Sequence, residues 1–452
     1  VTSAGALSLE AENGSVEISG NLLAKDGPAS ITASGSKDDE EQGDVLVYGD
    51  VTSSAGDVSI GTNYGSILIG AEDEPASISV AGTATISNGE GAASIHGDVS
   101  SKEGTTVKTT SRGSIEVTGT LETTGEGDVE VLVKEGDIHL SNMGEKPAVR
   151  STHDAYVETK SGSIAVTGDV SAADTASLIS TGGKISLTGN MEGVAGNAVI
   201  HASDVEPAED VKGDIEIKGS VTAGDLLHIS TDNGHIMAGT ETEKSTLSAG
   251  NTAMIQTGTG DISIYGNAGS VSDMDIEAAK EGNILAKGNM SSDDGTVSVH
   301  TKKGAIDLTG GLEADGDIGI RTEEGDISLS GNAAAEGSIL AGTDAGSITQ
   351  TGGNLEAGAD MTMKANEGSL DIGGALVSED GVISLATTDS EGSATAGNVT
   401  VRGKATAGHG YITASADDGN IEFLGAVTAG GDVSARTEEG NIHYGSTIQS
   451  GA

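Results

Sequence analysis

The sequence predicts an all-β fold, a single parallel β-helix (β-solenoid) with three short strands per coil, and three observations predict it. The first is a repeated phrase: a glycine, one variable residue, an aliphatic residue, and glycine again about six residues on. It reads GSVEISG from Gly14, GSIEVTG from Gly113, GSIAVTG from Gly162, GKISLTG from Gly183, GDIEIKG from Gly213, GDISIYG from Gly260, GNILAKG from Gly282, GAIDLTG from Gly304 and GNIEFLG from Gly419. With weaker copies the anchor glycines fall at positions 14, 43, 65, 91, 113, 136, 162, 183, 213, 234, 260, 282, 304, 325, 346, 368, 397, 419 and 440. The commonest interval is 21 or 22 residues, which gives 19–20 coils over residues 1–452. A fixed period of this length is the signature of a solenoid.

The second observation is alternation. Between Gly316 and Gly337, Ile318 and Ile320 share one parity, Ile327 and Leu329 another, and Ala333 and Ala335 follow. Period-two alternation puts the aliphatic side chains on one face and Asp, Ser, Arg or Gly on the other. Three strands of this length cannot bury that face alone, but stacked on their own repeats they can. Right-handed coiling is expected from the general preference of parallel crossovers.

The third observation is composition. The 452 residues include 71 glycines, four prolines, one phenylalanine, no tryptophan and no cysteine. Aromatic residues normally supply much of a globular core; a narrow triangular interior is expected to leave no room for Trp or Phe. Without cysteine there is neither a disulfide framework nor a Cys-based zinc site. Lys plus Arg number 22 against 70 Asp plus Glu, a formal charge of −48. That sign disfavours nucleic acid and anionic membranes and favours bound cations and basic partners. No apolar run reaches membrane-spanning length, and VTSAGALSLE at the start has no signal-peptide pattern.

Within each coil the third strand is the smallest, as in GLEADG at 311–316, GNLEAG at 353–358 and GAVTAG at 425–430. Asn398, Asn420 and Asn441 follow the anchor glycine in successive coils, where stacked amides are expected to form ladders. Asp takes the same slot at Asp44, Asp137, Asp214, Asp261 and Asp326, never in adjacent coils, as expected if stacked carboxylates repel.

The long intervals localise insertions at 37–44, 71–76, 142–154, 203–213, 239–245 and 387–394. Pro28, Pro75, Pro147 and Pro207 all fall in long intervals, because proline is excluded from paired strands but not from loops leaving the stack. Recognition on a rigid scaffold would sit on such loops, although tolerated acidic insertions are the plainer reading. Neither end shows a capping helix or a degenerate coil; the expectation is a chain cut from a longer solenoid, or copies that stack end to end.

A search for chemistry names no catalytic, cofactor-binding or metal-ligating residue. His96, His139, His153, His201, His228, His235, His300, His409 and His443 make no pair at metal-ligand spacing, and surface histidines are expected. Asp38/Asp39, Asp293/Asp294 and Asp417/Asp418 are paired acids of the kind glycoside hydrolysis uses, but they fall at coil corners in a chain crowded with acids. Weak calcium binding by acidic corners is compatible with the composition, although the calcium nonapeptide GGxGxD is not repeated.

Repeats such as GSIEVTGTLETTGEGDVEVLVKEGDIHL (113–140) resemble the β-helical shafts of filamentous haemagglutinin-like bacterial surface exoproteins, including those exported by two-partner secretion. The resemblance is one of repeat style over essentially the whole chain: Gly-rich, Cys-free coils of roughly twenty residues with [ST]-G corners. It carries over no functional residue. It implies an extracellular or cell-surface, non-catalytic shaft, with self-association and a host or neighbouring-cell surface as expected partners. Two other readings stand beside it. One is a polysaccharide-processing β-helix, a lyase or tailspike-like depolymerase; the other is an acidic envelope stalk of a salt-adapted organism.

Overall fold

The computed structural model describes residues 1–36, 43–142, 144, 146–203, 213–388 and 397–451. They form two compact units, Val1–Asp232 and Asn233–Ala452. Each is a β-solenoid, and the described residues contain no helix. Counted by the strand that follows the anchor glycine, the first unit has nine coils and the second ten among the described residues.

A representative coil of the second unit consists of Ile318–Glu324, Ile327–Leu329 and Ala333–Ala335. We call the sheets these strands build the first, second and third walls. Each strand pairs in parallel with its counterpart one coil on: Ile318 with Ile339, Ile327 with Ile348, and Ala333 with Leu355. The first unit repeats the scheme in Ala155–Thr159, Ile164–Thr167 and Val170–Ala172. There Ile164 pairs with Ile185, and Val170 with Met191.

The predicted alternation sets the core. Ile318, Ile320, Ile327, Leu329, Ala333 and Ala335 are all buried. Their flat parallel register lets one coil's side chain rest on the next, so burial removes apolar area from water along a continuous ladder. The anchor glycines are needed because the backbones pass very close. Gly113 has φ +145°, and a Cβ there would fall 1.7 Å from the carbonyl oxygen of Gly91.

The core holds two features that the aliphatic pattern does not convey. A threonine or serine three residues before the anchor glycine points inward, and its hydroxyl donates to the carbonyl oxygen of the preceding coil's anchor glycine. The bonds run from Thr62 to Gly43 (2.6 Å), Thr159 to Gly136 (2.8 Å) and Thr231 to Gly213 (2.7 Å) in the first unit. In the second they run from Thr301 to Gly282 (2.8 Å), Thr322 to Gly304 (3.0 Å), Thr343 to Gly325 (2.8 Å) and Thr437 to Gly419 (2.8 Å). Each satisfies a carbonyl beside the apolar interior.

The second feature corrects the expectation that the interior excludes phenylalanine. Phe423 is 1% exposed, at the inward end of Ile421–Phe423. Its ring stacks on Tyr444 in the next coil, with centroids 5.3 Å apart and planes at 7°. Room comes from the same coil's other inward positions, where Ala414, Ala416 and Ala429 are small and buried. Pro28 also departs from expectation. It is a corner residue immediately before the strand Ala29–Ala33, and its carbonyl accepts from the N–H of Leu7 at 2.9 Å. A corner tolerates the ring because the ladder there uses the carbonyl rather than the missing donor.

Candidate functional site

The acids that dominate the composition sit at the corners, and there they serve the backbone. In the slot after the anchor glycine, Asp44 accepts from the N–H of Ser66 (2.7 Å), and Asp137 from Ser163 (2.7 Å). In the second unit Asp261 accepts from Asn283 (2.7 Å), and Asp326 from Ser347 (2.8 Å). Asparagine does the same: the N–H of Asn420 donates to Asn398 Oδ1 at 2.8 Å, and that of Asn441 to Asn420 Oδ1 at 2.9 Å. The expected amide ladder is thus mainly a side-chain-to-backbone ladder, with one amide–amide contact of 3.3 Å from Asn441 to Asn420.

The corner before the third wall carries a second such column. Asp50 accepts from Ser77 (2.9 Å), Asp98 from Thr120 (2.9 Å) and Asp169 from Asn190 (2.7 Å). Asn332 accepts from Asn354 (2.8 Å) in the second unit. The corner before the first wall carries a third, with Asp57 accepting from Thr83 (2.8 Å), Asp154 from Thr175 (2.8 Å) and Asp317 from Ser338 (2.6 Å). Charge-assisted bonds of this kind are stronger than neutral ones.

The paired acids singled out in the sequence do not converge on a site. Asp38 and Asp39 lie outside the described residues. Asp293 and Asp294 are exposed at a corner, their N–H groups donating to the carbonyls of Ser270 and Val271. Asp417 and Asp418 occupy another corner, where the Asp417 carbonyl accepts from Glu438 and Glu439. A shallow trough of about 610 Å³ on the third wall of the second unit brings together Glu313, Asp315, Glu336, Glu356, Glu379 and Asp380. His409 lies 2.9 Å from Asp380.

The histidines separate by environment. His139, His153, His409 and His443 are exposed as expected, while His201, His228, His235 and His300 are half-buried. His96 corrects the surface reading: it is 9% exposed, with Nδ1 2.8 Å from Thr118 Oγ1. Burial, with the neighbouring His201, pushes the pKa of His228 down, favouring the neutral ring. Burial, with the adjacent Glu158 carboxylate, pushes the Tyr156 hydroxyl up to about 12. Among the described residues no group of three or more His, Cys, Asp or Glu side chains is arranged to hold a metal.

The insertions share one relationship to the walls. Three follow the first wall, at 37–44, 203–213 and 387–394; of these, residues 37–42, 204–212 and 389–394 lie outside the described set. The other three, 71–76, 142–154 and 239–245, begin after the second wall; the expected insertion at 142–154 runs too far, because Val149–Ser151 is a third-wall strand paired with Val170–Ala172. All six therefore leave from an edge of the second wall. The turn at 71–76 is closed by paired bonds between Ala71 and Glu74 (2.9 and 3.1 Å), and Lys146 in the insertion at 142–154 pairs with Asp98 at 2.7 Å. Interval length alone does not say which corner has lengthened, so neither edge is evident before the strands are placed. No protein-family model, no curated protein and no solved structure matches this chain.

Proposed function

We propose that the chain is a non-catalytic structural shaft belonging to an extracellular or cell-surface protein. The observation that carries this reading is the use made of the corner residues. Side chains that could act on a substrate, chiefly aspartates, accept backbone hydrogen bonds from the next coil in three separate columns. A carboxylate held in this way is a lattice element, its oxygen taken up by a backbone N–H of the next coil. The Gly-rich, Cys-free repeat style shared with filamentous haemagglutinin-like shafts points the same way, since a chain without cysteine suits export in an unfolded state.

The test is an assay of the purified chain on a panel of acidic and neutral polysaccharides. Viscosity, new reducing ends and the ultraviolet absorbance of unsaturated uronates are followed together. The reading predicts no change in any of them at stoichiometric protein. Depolymerisation that is lost on substituting Glu313 or Glu356 with glutamine would replace it with a carbohydrate-processing function in the acidic trough.

A further inference from the structure

Two insertions, one in each unit, are built alike and differ in their charge partners. GAEDEPAS (70–77) aligns without a gap on GTETEKST (239–246). Gly70 and Gly239 take left-handed φ values of +71° and +74°. Ala71 and Thr240 then donate to the carbonyls of Glu74 and Glu243 at 2.9 and 2.6 Å. Ala76 and Ser245 close each turn onto the next coil, donating to the carbonyls of His96 and Tyr265, both at 2.9 Å.

In the second unit this turn carries its own cations. Glu241 pairs with Lys287 at 2.8 Å, which holds the Glu241 carboxyl below its ordinary range. Lys287 and Lys244 also lie over the Tyr265 ring, 5.5 and 5.4 Å from its centroid. In the first unit both lysine positions are lost: Pro75 stands where Lys244 would, and Thr118 where Lys287 would. Glu72, Asp73 and Glu74 are exposed and form no ion pair among the described residues.

The wall beside this turn is unusual as well. Along the outer face of the second wall, the register runs Glu17, Leu46, Leu68, Ser94 and Glu116. Leu46 and Leu68 are adjacent and half-buried, and Tyr48, in the coil below Gly70, is 40% exposed. The first unit therefore places an apolar pair and an open aromatic ring next to three carboxylates that have no cation.

We propose that this face, Leu46, Tyr48 and Leu68 with Glu72, Asp73 and Glu74, docks an extended basic polypeptide segment carrying an apolar side chain between its lysines or arginines. The partner's cations meet Glu72, Asp73 and Glu74 as Lys287 meets Glu241 in the second unit; the counterpart of Tyr265 is the buried His96, so the ring face offered to a cation is that of Tyr48, at a different register. Its apolar residue covers the leucine pair. Charge selects this occupant. A second copy brings the same acids and a formal charge of −48, and nucleic acid or anionic lipid has the same sign. The surface is independent of the shaft reading, and a shaft with no partner here remains a shaft.

The experiment is isothermal titration of the full chain, at about 0.15 M salt, with a synthetic peptide of alternating lysine and leucine and with polylysine of the same length. Three variants accompany the wild type. Leu46→Ser with Leu68→Ser removes the apolar pair. Thr118→Lys restores the cation found in the second unit and occupies the acids from within. Leu285→Ser is the control on the other unit's second wall. Circular dichroism and a thermal melt establish that each variant is folded. The alternating peptide is expected to bind the wild type and the control, and to lose affinity at least about tenfold in the other two. A wild-type chain that does not bind it, variants that bind it equally, or polylysine bound just as well would overturn the assignment.

Discussion

The hydroxyl of Thr322 donates to the carbonyl oxygen of Gly304 across 3.0 Å, and Thr322 is fully buried. One coil's inward threonine thereby ties down the glycine at which the coil below turns its corner. The same pairing recurs from Thr301 to Gly282 and from Thr343 to Gly325. Replacing Thr322 with valine keeps the shape and removes the donor, leaving a buried carbonyl unpaired. The expected loss is about 1–3 kcal/mol, local to that coil, with Thr322→Ser retaining most of the stability. Native-state hydrogen exchange of the Gly325 and Ile327 amides reads it; unchanged protection in the valine variant would contradict the role.

Gly113 allows no side chain. With φ +145° and the Gly91 carbonyl 1.7 Å from a built Cβ, Gly113→Ala has to push two coils apart. The expected cost is at least about 2 kcal/mol. It appears as faster exchange and earlier proteolysis around residues 91–136, with distant coils unaffected because repeats contact only their neighbours. A variant as stable as the wild type would mean the coils are further apart than described.

The asparagine column separates acceptor from charge. Asn420 Oδ1 accepts from the N–H of Asn441, so Asn420→Asp keeps the acceptor whereas Asn420→Leu removes it. The aspartate is expected to lie close to wild type and the leucine about 1 kcal/mol below it. Native-state hydrogen exchange of the Asn441 amide, which donates to Asn420 Oδ1, reports this coil; equal protection in the leucine variant would contradict the role.

Asp98 supplies a pH dependence. Burial works against its charge, but Lys146 at 2.7 Å and the Thr120 N–H at 2.9 Å outweigh it and hold the carboxyl below its ordinary value. Its folded pKa is below its unfolded one, so the stabilisation is full above the ordinary carboxylate pKa of about 4 and is lost as pH falls through the folded value. Lys146→Met is expected to move the Asp98 titration upward in carboxyl-carbon NMR and to weaken the acid dependence of the Lys146–Asp98 contact. A titration that does not move would contradict the pairing.

Much of this architecture was legible, for a physical reason: a parallel register repeats the same inward positions in every coil, so Ile318, Ile327 and Ala333 could be assigned to three walls from parity alone. The inward threonines also leave a trace in the sequence. The motif Thr-x-x-Gly stands at TKSG (159–162), TKKG (301–304), TEEG (322–325) and TDAG (343–346). A polar residue repeating at an inward position is itself the signal of a required hydrogen bond. The spacing matters: Thr109 lies four residues before Gly113, beside a register shift, and its hydroxyl has no partner. Phe423 fits where a narrow interior is expected to exclude it because room in a coil is shared among its walls, and the alanines facing it are evident only once the strands are placed. His96 is buried for a similar reason, lying under the turn whose Ala76 bonds to its carbonyl. Which corner an insertion leaves, and which acids then lack a cation, depends on comparing two coils in register.

The most direct measurement is cryo-electron microscopy of the protein isolated from the cells that produce it, without truncation. Filaments are expected, with an axial repeat of about 4.8 Å, the spacing of strands stacked in parallel, and with the body of the filament made of these coils. Discrete short particles with a wider head would contradict the shaft reading and turn attention to the acid-lined trough of the third wall.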